Sequence, residues 1–324
     1  MKVPVKNSWS AVFGALSCLI FLASPVSAVT LEWVGVGGPG NDAFSGYGSV
    51  AYEYFISKYE TTNVEYAEFL NAVAATDTHA LYDANMQFSY GGITRSGTQG
   101  SYTYSVIAGR EDLPVTYIAF YDAMRFANWL HNGQPTGAQD NTTTEDGAYT
   151  ITPAGISANS ITRNPGATVF LPTEDEWCKA AYYEVGSATY YYYPTSSDLP
   201  PFCDLPGSTP NTANCGRAVD NVTYVGSYTS SSSPNGTFDQ AGNVWEWNER
   251  IYLGGRGWRG GGFTNDQVSQ QLLSSSYLST TSASAVTGFR VAAAVPEPET
   301  STGVLVAVGV LSLLCRKRVQ RSSL

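Results

Sequence analysis

Only three stretches of this chain carry the apolar spacing of a buried helix, and glycine- and tyrosine-rich segments surround them. Thr62-Asn63-Val64-Glu65 reads as a capping box, with Val64, Ala67, Phe69, Leu70 and Val73 following at helical spacing. A second helix is expected from Tyr121 to Leu130, with Ala123, Phe126, Ala127 and Leu130 apolar. A third starts at the capping box Thr173-Glu174-Asp175-Glu176, behind Pro172, and turns Trp177, Ala180 and Ala181 inward. The 32 glycines and 22 tyrosines point to many short strands and turns, not a helical bundle. Helices and strands do not alternate as βαβ units, so the expected class is α+β.

The two ends read as sorting segments. Lys2 and Lys6 precede an apolar run from Ala11 to Ala23, and Val26-Ser27-Ala28 supplies small residues for a leader peptidase. Residues 1–28 read as a secretory signal peptide, with a retained anchor as the alternative, and the mature chain is expected to start near Val29. At the other end, residues 295–324 hold Val295-Pro296-Glu297-Pro298-Glu299, an apolar stretch from Thr302 to Cys315, and the cluster Arg316-Lys317-Arg318 with Arg321. This order resembles the PEP-CTERM sorting signal of Gram-negative bacteria, with a plain tail anchor as the alternative. The apolar stretch is short for a bilayer, and the cations after it favour the cytoplasmic side. Either reading exports residues 29–294 and ties them to the cell envelope or the extracellular space.

The ends hold six of the 17 lysines and arginines and two of the 27 acidic residues. The interior is left with 11 cations and 25 anions, a net charge of −14. Such a surface repels phosphate backbones, which excludes nucleic acid as an expected partner. About 265 residues without an internal linker are expected to form one domain. Cys178, Cys203 and Cys215 lie in this interior. Cys203 and Cys215 are close enough to close a small disulfide loop in an exported protein, though sequence leaves the pairing open. Cys178 falls within the third helix and reads as a buried small hydrophobe.

Six motifs then occur in order. They are Tyr59-Glu60-Thr61-Thr62-Asn63-Val64-Glu65-Tyr66 with Phe69-Leu70-Asn71; Leu113-Pro114-Val115 leading to Tyr121-Asp122-Ala123; and Leu171-Pro172-Thr173-Glu174-Asp175-Glu176-Trp177 with Ala180-Ala181. Gly242-Asn243-Val244-Trp245-Glu246-Trp247, Arg259-Gly260-Gly261-Gly262-Phe263 and Gly288-Phe289-Arg290-Val291 complete the set. Taken together they resemble the formylglycine-generating enzymes, or sulfatase-modifying factors. The resemblance implies a C-type-lectin-like domain with little regular secondary structure. Residue by residue the motifs also read as scaffold: tryptophans as core or wall, glycines as close backbone approaches, and Arg290 as the partner of an internal carboxylate.

In that family two thiolates after the glycine-rich strand bind Cu(I), and one also engages the substrate cysteine, which is oxidised by copper-assisted oxygen chemistry. The resemblance places these positions at Asn265 and Gln270, and an amide can neither form a disulfide nor bind copper as a thiolate. The expectation is therefore no copper and no oxidase chemistry, with no catalytic residues assigned. A related branch holds iron through histidines, but His79 and His131 have no ligand spacing. No Gly-x-Ser-x-Gly, P-loop or dinucleotide fingerprint occurs.

The resemblance also implies two structural calcium sites. One would use the side chains of Asp239 and Glu246 and the carbonyls of Gly242 and Val244. The other would use the side chains of Asn214 and Asp220 and the carbonyls of Cys215 and Val222. The alternative is that these carboxylates are solvated or pair with arginines such as Arg250. The functional expectation is an envelope-displayed binding or structural module for a protein, peptide or glycan, membrane-associated through its C-terminal segment. The competing expectation is an enzyme that modifies exported proteins such as sulfatases through a divergent site.

Overall fold

Both expected capping boxes form. The computed structural model describes residues 28–296. Its elements in chain order begin with β1 (Trp33–Val36), β2 (Tyr54–Ser57), α1 (Asn63–Val73), β3 (Ile93–Ser96), β4 (Thr103–Val106), α2 (Phe120–His131) and α3 (Pro153–Ala158). There follow β5 (Val169–Phe170), α4 (Glu174–Tyr182), β6 (Tyr183–Glu184), β7 (Thr189–Tyr190), β8 (Phe202–Cys203) and β9 (Thr212–Ala213). The last elements are β10 (Trp245–Tyr252), β11 (Gly255–Arg259), β12 (Ser276–Leu278), β13 (Thr287–Gly288) and β14 (Ala292–Ala294).

The Glu65 and Glu176 carboxylates accept the N-cap amides of Thr62 and Thr173 at 2.7 and 2.6 Å. The threonine hydroxyls accept in return at 3.4 and 3.0 Å, so α1 and α4 each start with orphan donors satisfied reciprocally. Val64, read as part of the buried stripe of α1, is exposed instead. It lies two positions after the cap, on the solvent side of the first turn, while Tyr66, Phe69, Leu70 and Val73 are buried. α3 has no counterpart in the apolar pattern because none of its residues is buried. Its signal is Thr152 capping the Gly155 amide at 3.1 Å with Pro153 in the first turn.

Two four-stranded sheets carry the domain. In the first, ordered β1-β2-β14-β5 and antiparallel throughout, the last strand inserts beside the second (Ala292 opposite Ile56), so the two ends of the domain close on one another. The second is ordered β12-β11-β10-β13 and is antiparallel except at β10–β13. Three two-stranded pairs, β3–β4, β6–β7 and β8–β9, complete the regular structure among the described residues. The main core packs aromatic rings from α1, α2 and the last motif: Tyr66, Phe69, Phe126, Trp129 and Phe289 lie with neighbouring centroids 5.3–6.4 Å apart.

Cys203 and Cys215 form a disulfide across a 12-residue separation, joining β8 to the segment after β9. Cys178 is free and fully buried on α4. No helix among the described residues is long and apolar enough to cross a membrane. The signal peptide (1–27 of it) and nearly all of the expected sorting tail lie outside the described residues.

Candidate functional site

Strand alternation organises the site. β10 sends Trp245 and Trp247 to one face and Glu246 to the other. On the first face the Trp245 ring stacks on Trp258 of β11 at 4.5 Å, and the Trp247 indole donates to the Ile118 carbonyl at 2.9 Å. On the second, Glu246 is fully buried. It accepts from Trp177 Nε1 at 2.6 Å and from Arg290 Nε and Nη2 at 2.6 and 2.7 Å. Three of the six motifs therefore meet on one carboxylate.

The turn into β10 depends on its glycine. Gly242 has φ +85°, and a Cβ there would lie 2.2 Å from the Asn214 carbonyl oxygen. That close approach lets the Asn243 amide donate to the same oxygen at 2.9 Å. The buried Asn243 side chain then ties three segments together. Its Oδ1 accepts from the Thr223 amide at 2.9 Å and Asn214 Nδ2 at 3.0 Å, and its Nδ2 donates to Glu60 Oε2 at 2.8 Å.

Asn265 and Gln270 converge on Gly261: a Cβ on this glycine would lie 3.8 Å from Asn265 Cβ and 3.5 Å from Gln270 Cγ. Asn265 Oδ1 accepts from Trp245 Nε1 at 2.9 Å and from the Gly262 amide at 3.1 Å. Gln270 is fully buried at the end of a 3₁₀ turn, and neither its Oε1 nor its Nε2 has a hydrogen-bond partner. Two neutral amides thus occupy the positions where the resemblance expects thiols. Neither can ionise or exchange sulfur.

Among the described residues no other thiol substitutes for them. Burial pushes the Cys178 thiol up to about 12, so it stays protonated and non-nucleophilic at neutral pH. Cys215 runs beside the Asn265 turn, where the Gly216 amide donates to the Asn265 carbonyl at 2.7 Å, but its sulfur is bound to Cys203. The histidines are engaged separately: His79 Nε2 lies 3.5 Å from Glu145, and His131 Nδ1 lies 2.7 Å from Thr168 Oγ1. Among the described residues, no three His, Cys, Asp or Glu side chains converge as a metal site.

The calcium sets assigned from sequence need fewer carboxylates than that. In the first, Asp239 Oδ2 accepts from the Gly226 amide at 2.6 Å, whereas Glu246 serves as counter-ion to Arg290. In the second, Asn214 is buried with Oδ1 unpartnered, an acceptor left open where a ligand was expected. Asp220, by contrast, is exposed and pairs with Arg217 at 2.6 Å. The carbonyl-only positions Gly242, Val244, Cys215 and Val222 are buried beside these side chains. Arg250, considered as a partner for the calcium-site carboxylates, bonds Glu174 instead.

Glu60 of the first motif carries no role legible in the sequence, and the structure gives it one. Its buried carboxylate shares the surroundings of Asp239, Glu246 and Arg290, three acids around one guanidinium. Burial, with the neighbouring Asp239 and Glu246, holds the Glu60 carboxyl well above its ordinary range. Burial pushes Asp239 up to about 6, against the Gly226 amide and Arg290. The Asp239 carboxylate and the open Asn214 oxygen are donors of the oxygen type that a hard cation takes. A second network, also unread from sequence, places Arg163 between Glu176 at 2.7 Å and Glu249 at 2.8 Å.

Comparison with known proteins agrees with this architecture. Residues 48–295 match the family described as sulfatase-modifying factor enzyme 1-like domain. No curated protein sequence matches significantly. Among solved structures, CarF aligns with a TM-score of 0.52 at 20% identity, covering 82% of this chain and 99% of CarF. PvdO from Pseudomonas aeruginosa aligns at 0.42 and 16% identity, covering 82% and 92%. Treponema denticola variable protein 1 aligns at 0.49 and 18% identity, covering 84% and 98%. At these identities the likeness to CarF speaks for the fold alone. The family match, spanning most of the chain, shows that this protein belongs to the formylglycine-generating, sulfatase-modifying factor family.

Proposed function

We propose that this family member is a non-catalytic binding or structural module, exported and displayed at the cell envelope, with calcium as a structural ion. The observation that carries the reading is the pair of amides at Asn265 and Gln270. They are gathered around Gly261, where copper-thiolate chemistry would need two ionisable sulfurs. The buried Cys178 thiol and the Cys203–Cys215 disulfide do not fill that role. Export is supported by the leader and tail patterns and is compatible with the disulfide. Exposed Tyr277, stacked on Tyr252 at 5.0 Å, offers flat contact area for a protein, peptide or glycan beside the second sheet.

Calcium would draw on Asp239 and Glu246 at the first site, beside the buried Glu60, and on Asn214 at the second, where its Oδ1 is left unpartnered. Asp220 would join only by exchanging Arg217 for the ion. The catalytic side of the proposal is tested by Cu(I) titration against a chromophoric chelator, using the oxidised protein. The expected result is no protein-bound Cu(I) at chelator concentrations that two-thiolate sites withstand. Stoichiometric binding that outcompetes the chelator would overturn it.

A further inference from the structure

Gln134 lies just past α2 in a left-handed conformation (φ +62°) that costs a non-glycine residue on the order of 1 kcal/mol or more. Its amide is fixed to the Trp129 carbonyl at 2.8 Å. Its side chain holds both backbone groups of a residue 105 positions away. Val29 N–H donates to Gln134 Oε1 at 2.7 Å, and Gln134 Nε2 donates to the Val29 carbonyl at 2.8 Å. The Val29 side chain is buried in the main core, while Ala28 before it is exposed. The strained glutamine thus fixes the point where the domain begins.

Ala28, Val29 and Thr30 also form one wall of a pocket of about 730 Å³, within the range that holds a small ligand. The other walls carry four carboxylates: Glu32 before β1, Glu65 and Glu68 on α1, and Asp112 from the loop between β4 and α2. Tyr59 and Tyr224 supply the aromatic surface, and neither lysine nor arginine lines the space. Lys58 pairs with Glu32 at 3.1 Å from outside this lining. Burial raises the carboxyls of Glu65 and Glu68, and the nearby Glu68 and Asp112 charges raise Glu65 further. Glu32 has Lys58 as its cation, whereas no lysine or arginine in the lining compensates Glu65, Glu68 or Asp112.

The geometry points to the protein's own mature amino terminus as a cation for this pocket: cleavage after Ala28 converts the Val29 amide, held by Gln134, into an α-ammonium in the lining that Val29 shares with four carboxylates. This rests on the export reading for the cleavage itself. Hydrolysis by a leader peptidase adds water across the Ala28–Val29 bond. Ala28 leaves with the carboxylate, and the released Val29 amine takes up a proton at neutral pH. One of the three N–H groups can keep the Gln134 acceptor, and departure of Ala28 opens the wall toward the acids. Processing then becomes a maturation step, since the uncut chain has only a neutral amide at this place.

The sign of the pH dependence follows. A carboxylate-lined site raises the ammonium pKa above its ordinary ~7.7–8.0. Its stabilisation is complete below that ordinary value and is lost as pH rises through the raised one. The test uses full-length precursor expressed with its own leader, isolated from the host envelope, with its N-terminal residue read by intact mass. The α-amino pKa is then measured by pH-dependent acetylation in the native protein and in E68Q/D112N, a variant that leaves the α1 capping box intact. The expected result is Val29 as first residue, a pKa about one unit above ordinary (tenfold in proton affinity), and a return toward ordinary in the variant. A retained leader or a different first residue overturns both the processing and the docking. A Val29 terminus with an ordinary pKa overturns the docking alone and leaves export standing.

Discussion

Replacing Arg290 by methionine tests whether the interior is organised around a single guanidinium. Arg290 is fully buried and donates to Glu246 at 2.6 and 2.7 Å, and to the carbonyls of Ser57, Lys58 and Phe238 at 3.1, 3.3 and 2.8 Å. Methionine restores much of the volume but leaves Glu60, Asp239 and Glu246 with no buried cation among them. Breaking a buried pair from one side costs about 3–5 kcal/mol. Loss of carbonyl partners adds about 1 kcal/mol, because Lys58 O keeps its bond from the Phe238 amide. The expected loss is thus roughly 4–6 kcal/mol. At about 2–4 °C per kcal/mol for a domain of this size, it lowers Tm by roughly 10–20 °C.

Glu246→Gln makes the comparison sharp. The amide oxygen can still accept from Trp177 Nε1 and Arg290 Nε, but the amide nitrogen then faces Arg290 Nη2, a donor, and Arg290 keeps the Asp239 charge, so the loss should be about 2–3 kcal/mol. Both variants would be followed by chemical denaturation at neutral pH, with circular dichroism confirming a folded baseline. Should Arg290→Met fail to fold, Arg290→Lys keeps the charge, loses the planar fork, and is expected to fall between the other two. Equal losses for Arg290→Met and Glu246→Gln would refute the three-acids-one-guanidinium account.

Two further outcomes follow from the same interior and its disulfide. Because burial raises Asp239 to about 6 from an ordinary 3.8, the folded state binds its proton more tightly than the unfolded state. That contribution is full below about pH 4 and is lost as pH rises through about 6, so calcium should raise Tm more at pH 8 than at pH 5 in scans with and without chelator. A calcium effect that is absent, or larger at pH 5, contradicts the assignment. For the disulfide, Cys203→Ser opens a loop of 12-residue separation and should cost about 3 kcal/mol by chain entropy. Denaturant midpoints of wild type with and without reductant, and of the variant, would show it. An unchanged midpoint would mean the loop is held by its other bonds.

The parts of the fold legible in the sequence are those fixed by local rules. Thr62 and Glu65, and Thr173 and Glu176, signal their helices because a capping box is satisfied within four residues. α3 leaves no apolar pattern in the sequence because its residues bury nothing and its cues are only a threonine cap and a proline. The site was legible as a set of positions but not as a set of partners. Strand alternation separates Glu246 from its tryptophan neighbours, yet nothing local says that its counter-ion is Arg290, 44 residues away. Glu60 is less legible still, since its role comes from contact with Asn243, 183 residues along the chain. The arrangement around Asn265 and Gln270 emerges because Gly261 lets both segments pack against it.

The central claim is that the scaffold persists without the thiol chemistry of its family. Incubating the full-length protein with copper, oxygen and a cysteine-containing sulfatase-motif peptide, then weighing the peptide by mass spectrometry, tests it most directly. A thiol-competent family enzyme run in parallel should convert the cysteine to the aldehyde, while this protein leaves the peptide mass unchanged. Aldehyde formed over many turnovers by this protein, and retained in Cys178→Ala, would contradict the account.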